Sequence, residues 1–121
     1  MSQEKGSLLI IDTNVLIYAV GRNLDLAKAV NTLQLSYKPV ILDCVKNELI
    51  GLASTVRLAK LALALSDRFE TMKSVGAGDE CIMNAASAHS AAVLTNDRTL
   101  ARSLGELKIR TYTLRQGKMI G

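Results

Sequence analysis

Leu8-Leu9-Ile10-Ile11-Asp12-Thr13-Asn14-Val15-Leu16 is the stretch on which the fold turns. Four aliphatic residues run without a polar break into a carboxylate, after which apolar residues return at helical spacing. A short continuous apolar run is the pattern of a strand buried on both faces, as in the middle of a parallel sheet. An Asp at the carboxyl end of such a strand stands on the sheet edge where open α/β folds place their ligands. Whether other acids can reach Asp12 then decides what the site can do.

Thr13 to Val20 reads as a helix stopped by Gly21, and Leu24 to Leu35 as a second, with Leu26, Ala29, Val30 and Leu33 near helical spacing. Met1 to Gly6 is polar and reads as a disordered tail. Lys38-Pro39 opens a second apolar run, Val40-Ile41-Leu42, with Pro suited to the first strand position. Asp43 then caps a helix from Cys44 to about Ile50, closed by Gly51. Glu48 sits past the first turn of that helix, where a side chain leaning toward the N-terminus reaches back to the sheet edge. A helix from Ser54 to about Leu65 is apolar almost all round its second half, which suits a place between layers or against a second copy, a homodimer.

A short edge strand is expected near Phe69, and Gly76-Ala77-Gly78 leads into a helix that Asp79 opens and that runs to about His89. Glu80 points about 100° away from Asp79 on such a helix and reads as an outer residue. Ala91 to Thr95 is the next buried strand, ended by Asn96-Asp97 as Asp12 ends the first, and Thr99 to Leu104 is a helix stopped by Gly105. Lys108 to Leu114 closes the pattern as a last strand before a basic tail. Strands alternating with helices define an α/β protein with a parallel sheet covered on both faces.

The 121 residues suit a single domain, 1–121. With 49% hydrophobic and only 3% aromatic residues, the core is aliphatic. The few rings argue against binding single strands by base stacking, as RNP-type sheets and OB-folds do. No run of about twenty apolar residues lacks charge, so a soluble cytoplasmic protein with no membrane contact is expected. Cys44 and Cys81 have no CxxC spacing and are expected as free, buried thiols, a mutual disulfide being the lesser reading. His89, the only histidine, is expected to have a structural place beside a helix end.

In a parallel α/β sheet the strand carboxyl ends and the starts of the following helices share one edge. Asp12, Glu48, Asp79 and Asp97 all arrive there from different parts of the chain. Gathered carboxylates repel one another unless a cation offsets them. An all-oxygen donor set suits Mg²⁺ or Mn²⁺, as one or two ions, and argues against zinc. With four of the 11 acids in one pocket, the rest of the molecule carries 15 basic against seven acidic groups, or +8. A basic body with one acidic pit suits metal-assisted hydrolysis of a phosphodiester.

Ile10-Ile11-Asp12-Thr13-Asn14, Asn47-Glu48-Leu49, Gly78-Asp79-Glu80-Cys81-Ile82 and Thr95-Asn96-Asp97-Arg98, in this order and spacing, resemble the PIN domain (PilT N-terminus) ribonucleases. The ending Thr113-Leu114-Arg115-Gln116-Gly117-Lys118 is similar to a small prokaryotic branch related to ribosomal-RNA-processing PIN nucleases and to VapC-type toxins. The resemblance implies a three-layer fold with a five-stranded parallel sheet in the order 3-2-1-4-5. It implies endonuclease action on single-stranded RNA, or on a structured RNA precursor, with Asp12, Glu48, Asp79 and Asp97 as metal-binding catalytic carboxylates. Asn14 and Thr95 are implied as supporting hydrogen-bonding groups, and an antitoxin protein as a partner should the chain be a toxin. Some members carry a further acid where Arg98 and Thr99 stand here, which leaves a second ion dependent on the RNA phosphate. The alternative is a catalytically silent PIN module that binds RNA or a partner protein. A haloacid-dehalogenase-type phosphatase wants a second Asp where Asn14 stands.

Overall fold

The computed structural model describes residues 7–33, 36–116 and 118–121; the expected tail at Met1–Gly6 and the end of the expected Leu24–Leu35 helix lie outside them. The elements run β1 (Ser7–Ile11), α1 (Thr13–Gly21), α2 (Leu26–Asn31), β2 (Tyr37–Leu42), α3 (Asp43–Ala53), α4 (Arg57–Ser66), β3 (Glu70–Met72), α5 (Asp79–His89), β4 (Ala92–Leu94), α6 (Arg98–Glu106), β5 (Thr111–Arg115) and β6 (Lys118–Ile120). They form one sheet in the order β3-β2-β1-β4-β5-β6. The first five strands pair in parallel, as the resemblance implied, and β6 adds an antiparallel strand beyond β5.

β1 lies in the middle and is paired on both sides, through Ile10 to Val40 of β2 and to Val93 of β4. Leu9, Ile10 and Ile11 are fully buried, which accounts for the unbroken aliphatic run. Around them Val15, Leu16, Ile41, Leu42, Leu49, Leu94, Leu100 and Leu104 complete an aliphatic core.

Several elements depart from their expected bounds. β2 begins at Tyr37, so Pro39 is inside the strand; β3 pairs only from Val40 onward, and Pro39 therefore stands clear of that ladder. Asp43 opens α3 rather than preceding it, and its Oδ1 accepts from the amides of Cys44 (2.8 Å) and of Ser74 (3.1 Å). Gly51 does not close α3, which runs on to Ala53. β5 starts at Thr111 because Lys108 takes a left-handed conformation (φ 62°), with the amides of Lys108 and Ile109 closing α6 on Gly105 and Leu104. The basic tail holds β6, turned back after Gln116 at φ 51°. α4 packs one face, Ala59, Ala62 and Ser66, into the molecule, while Leu58 and Leu61 stay exposed.

The cysteines overturn the expectation of free thiols: Cys44 and Cys81 form a disulfide. The sequence shows no spacing signal because the partners are 37 residues apart and meet only where the starts of α3 and α5 come together. His89 lies in the last turn of α5, where a helix end favours positive charge. Among the described residues no helix is long and apolar enough to cross a membrane.

Candidate active site

Asp12 follows β1 and caps α1. Its Oδ1 accepts from the Thr13 amide at 2.8 Å, and its own N–H extends the β1–β4 ladder to the Leu94 carbonyl at 2.9 Å. Its Oδ2 accepts from the Thr95 hydroxyl at 2.7 Å and from Asn14 Nδ2 at 3.1 Å. Thr95 Oγ1 in turn accepts from the Asp97 amide at 3.0 Å, so its single proton is committed to Asp12. Asn14 Oδ1 accepts from the Asn96 amide at 3.0 Å, which fixes the amide the right way round. The acid is thus held in one orientation by groups from the start of α1 and from the residue after β4.

The remaining three acids face the same hollow. Glu48 projects from α3 and accepts from Thr13 Oγ1 at 2.8 Å. Asp79 is the first residue of α5, where the helix dipole favours its charge. Gly76 (φ 104°) and Gly78 (φ 59°) carry the chain into that helix; a Cβ on Gly76 would stand 3.0 Å from Asn84 Nδ2. Asp97 caps α6, its Oδ1 accepting from the amides of Thr99 (2.9 Å) and Leu100 (3.2 Å). Asp12, Glu48, Asp79 and Asp97 together line a cavity of about 570 Å³, with Asn14 and Thr13 in its wall. Thr95 is fully buried behind Asp12. Glu80 and Arg98 are exposed.

Burial pushes the Asp12 carboxyl above its ordinary 3.8; the Thr95 and Thr13 hydrogen bonds pull it down, and the nearby Glu48 and Asp79 charges push it up again. The ion pairs among the described residues are Lys38–Glu70 and Lys46–Asp67, so none of the four pocket acids has a side-chain cation within 4.0 Å. An uncompensated set of hard oxygen donors fits a divalent cation. No three of these carboxylates bring oxygens within 4.8 Å of one another. A divalent ion here would therefore take one or two of these carboxylates and fill its shell with water and substrate phosphate. Asp43, Cys44 and Cys81 do cluster within 4.8 Å, but the two sulfurs are bonded to each other.

Sequence reading missed two positions. Thr13 anchors Glu48, and Asn96 ties Asn14 to β5 by accepting from the Leu114 amide at 2.9 Å. Each stands next to an acid and inside a PIN-like motif, Thr13 after Asp12 and Asn96 before Asp97, and that placement is the signal the sequence offers.

Fold and pocket together define a PIN-type α/β protein with an acidic edge. The PIN-like domain family matches residues 9–117, and the chain belongs to it. It is 28% identical over 116 residues to Ribonuclease VapC9 of Archaeoglobus fulgidus, covering 92% of this chain and 85% of that protein. The structure of the PIN domain endonuclease Utp24 superposes with a TM-score of 0.79 at 27% identity, covering 93% of this chain and 89% of that one. A chain of VapBC2 from Rickettsia felis, bound to a DNA fragment from its promoter, shares the fold (TM-score 0.63, 16% identity, 88% of this chain and 98% of that one).

Proposed function

We propose that this protein is a metal-dependent endoribonuclease that hydrolyses phosphodiester bonds of single-stranded RNA. The observation that carries the reading is buried, cation-free Asp12 facing Glu48 and Asp79 in a chain of the PIN-like family. Asp12, Glu48, Asp79 and Asp97 would hold Mg²⁺ or Mn²⁺, as one or two ions. Such an ion supplies an electrophile for the phosphate and acidifies a water at neutral pH. The chain's own part is orientation. Thr95 and Asn14 keep Asp12 from turning, Thr13 holds Glu48 toward the pocket, and the amides of α6 leave one oxygen of Asp97 open.

A second hollow supports a polyanionic strand as substrate. It is lined by Tyr18, Arg22, Asn96, Leu114, Arg115 and Gln116, and its Asn96 is bonded through the backbone amide to Asn14 in the wall of the acidic pocket. Neither arginine has a carboxylate partner within 4.0 Å among the described residues. The Arg22 guanidinium lies 5.2 Å over the Tyr18 ring, leaving its edge for phosphate.

The likenesses to an endonuclease, Utp24, and to a ribonuclease, VapC9, support cutting of RNA. The resemblance to ribosomal-RNA-processing PIN nucleases and to VapC-type toxins leads to processing of an RNA precursor, or to a toxin with an antitoxin whose basic side chain fills the pocket. Exposed Leu58 and Leu61 on α4, with Ile50 on α3, support a homodimer; a monodisperse monomer by light scattering at high micromolar concentration would contradict it. A soluble cytoplasmic setting fits either role.

The test is cleavage of an end-labelled single-stranded RNA. Mn²⁺-dependent cutting, abolished by EDTA and by Asp79→Asn, is expected, with linear phosphate ends because water is the nucleophile. RNA binding without cutting would favour the silent module, and 2′,3′-cyclic ends would contradict attack by water.

A further inference from the structure

The Cys44–Cys81 bridge joins the two helices that carry Glu48 and Asp79. Cys44 lies one helical turn before Glu48 on α3, and Cys81 two residues after Asp79 on α5. Besides the bridge, the loop before Asp79 is tied to α5 by Asn84, whose Nδ2 donates to the Val75 carbonyl at 2.9 Å. The chain from Lys73 to Gly78 has no regular structure, and two positive-φ glycines precede the acid. The first turn of α5 is closed by long hydrogen bonds, Glu80 N–H to the Ala77 carbonyl and Cys81 N–H to the Gly78 carbonyl, both 3.2 Å. Ser74 adds a non-covalent link between the same helix starts, its hydroxyl donating to the Cys81 carbonyl (2.7 Å) and its amide to Asp43 (3.1 Å). Glu48 and Asp79 face one another with like charge across the cavity.

We propose that the Cys44–Cys81 disulfide is a dithiol-sensitive clamp that positions Asp79 against Glu48 and so sets the metal affinity of the pocket; the second half rests on the metal reading above. The bridge is reachable from one side only. Cys81 is fully buried, whereas Cys44 is half-buried and forms part of the cavity wall. A thiolate of a dithiol reductant attacks the Cys44 sulfur, the bond to Cys81 breaks, and Cys81 leaves as a thiolate that takes up a proton. The reductant's second thiol then displaces Cys44, so the protein gains two thiols as the reductant becomes a disulfide. The pair are positioning residues, since they act on the metal through Asp79.

Hydrogen exchange of the metal-free wild-type protein reads the clamp without reference to metal. The samples are the oxidised protein and protein reduced with dithiothreitol and freed of it under nitrogen. Reduction is expected to speed exchange at the Glu80 and Cys81 amides by about tenfold, while β1 and β4 keep their protection. The dissociation constant for Mn²⁺, read from the electron paramagnetic resonance of free ion, is expected to rise about tenfold and to return on reoxidation. A Cys44→Ala/Cys81→Ala double variant should show the reduced values without reductant. Unchanged exchange at Glu80 and Cys81 on reduction would overturn the clamp. So would loss of protection through β1 and β4, which would make the bridge a staple for the whole domain. Faster local exchange with an unchanged Mn²⁺ constant would overturn control of the metal. Should oxidised protein show no Mn²⁺ binding that Asp12→Asn removes, the metal reading fails while the local exchange result still upholds the clamp on Asp79.

Discussion

Asp12 carries an electrostatic cost that the rest of the site is built around. Its folded pKa lies above the 3.8 of the unfolded chain, so between those two values the native state holds more protons than the unfolded state. Stability of the metal-free protein therefore falls as pH rises through that window, and the full cost is present above it. Asp12→Asn removes the titration, so its melting temperature relative to wild type should climb as pH is raised from 3.8 through the folded value. A difference that does not vary with pH would contradict this. The four acids were legible in the sequence because strand ends and helix starts of an α/β sheet must share an edge. Their supports were less so. Asn14 and Thr95 were implied by resemblance, whereas Thr13 and Asn96 stood in the same motifs with no role assigned. Thr13 finds its partner 35 residues away, a contact that no local spacing encodes.

At the scale of elements, the buried runs were read correctly and the punctuation less well. Ser7–Ile11 and Ala92–Leu94 are strands because their aliphatic side chains fill the space between two helical layers. Glycine misled at Gly51, which looked like a helix stop but lies within α3, where packing on α4 and β2 holds the helix regardless of propensity. A Cβ at Gly51 would meet nothing within 4 Å. Gly51→Ala is therefore expected to stabilise the protein by about 0.5–1 kcal/mol in urea denaturation; destabilisation would mean that α3 is not helical there. β6 was hidden because a three-residue strand carries too little pattern to stand out from a basic tail. The disulfide was hidden because redox pairing depends on where two helix starts meet in space.

The whole molecule combines a basic body with one acidic pit, and that division has a measurable consequence for RNA. Binding should weaken linearly in log–log form with salt, and Arg22→Ala or Arg115→Ala should each lower the slope by about 0.7, the value for one single-strand phosphate contact. An unchanged slope in both variants would move the strand off the Tyr18–Arg115 hollow. The parallel order β3-β2-β1-β4-β5 follows from the alternation of strands and helices only as a class; the particular order came from the resemblance to PIN domains. At every scale the structure converges on the acidic edge after β1. The most direct measurement of that edge is a thermal-shift titration with Mn²⁺ on wild type and Asp12→Asn. Specific binding to the native state adds roughly 2.7 kcal/mol at a hundred times the dissociation constant. The expected result is a saturable rise in the wild-type melting temperature that is largely lost in Asp12→Asn. No rise at millimolar Mn²⁺, or an equal rise in the variant, would contradict a metal site built on Asp12.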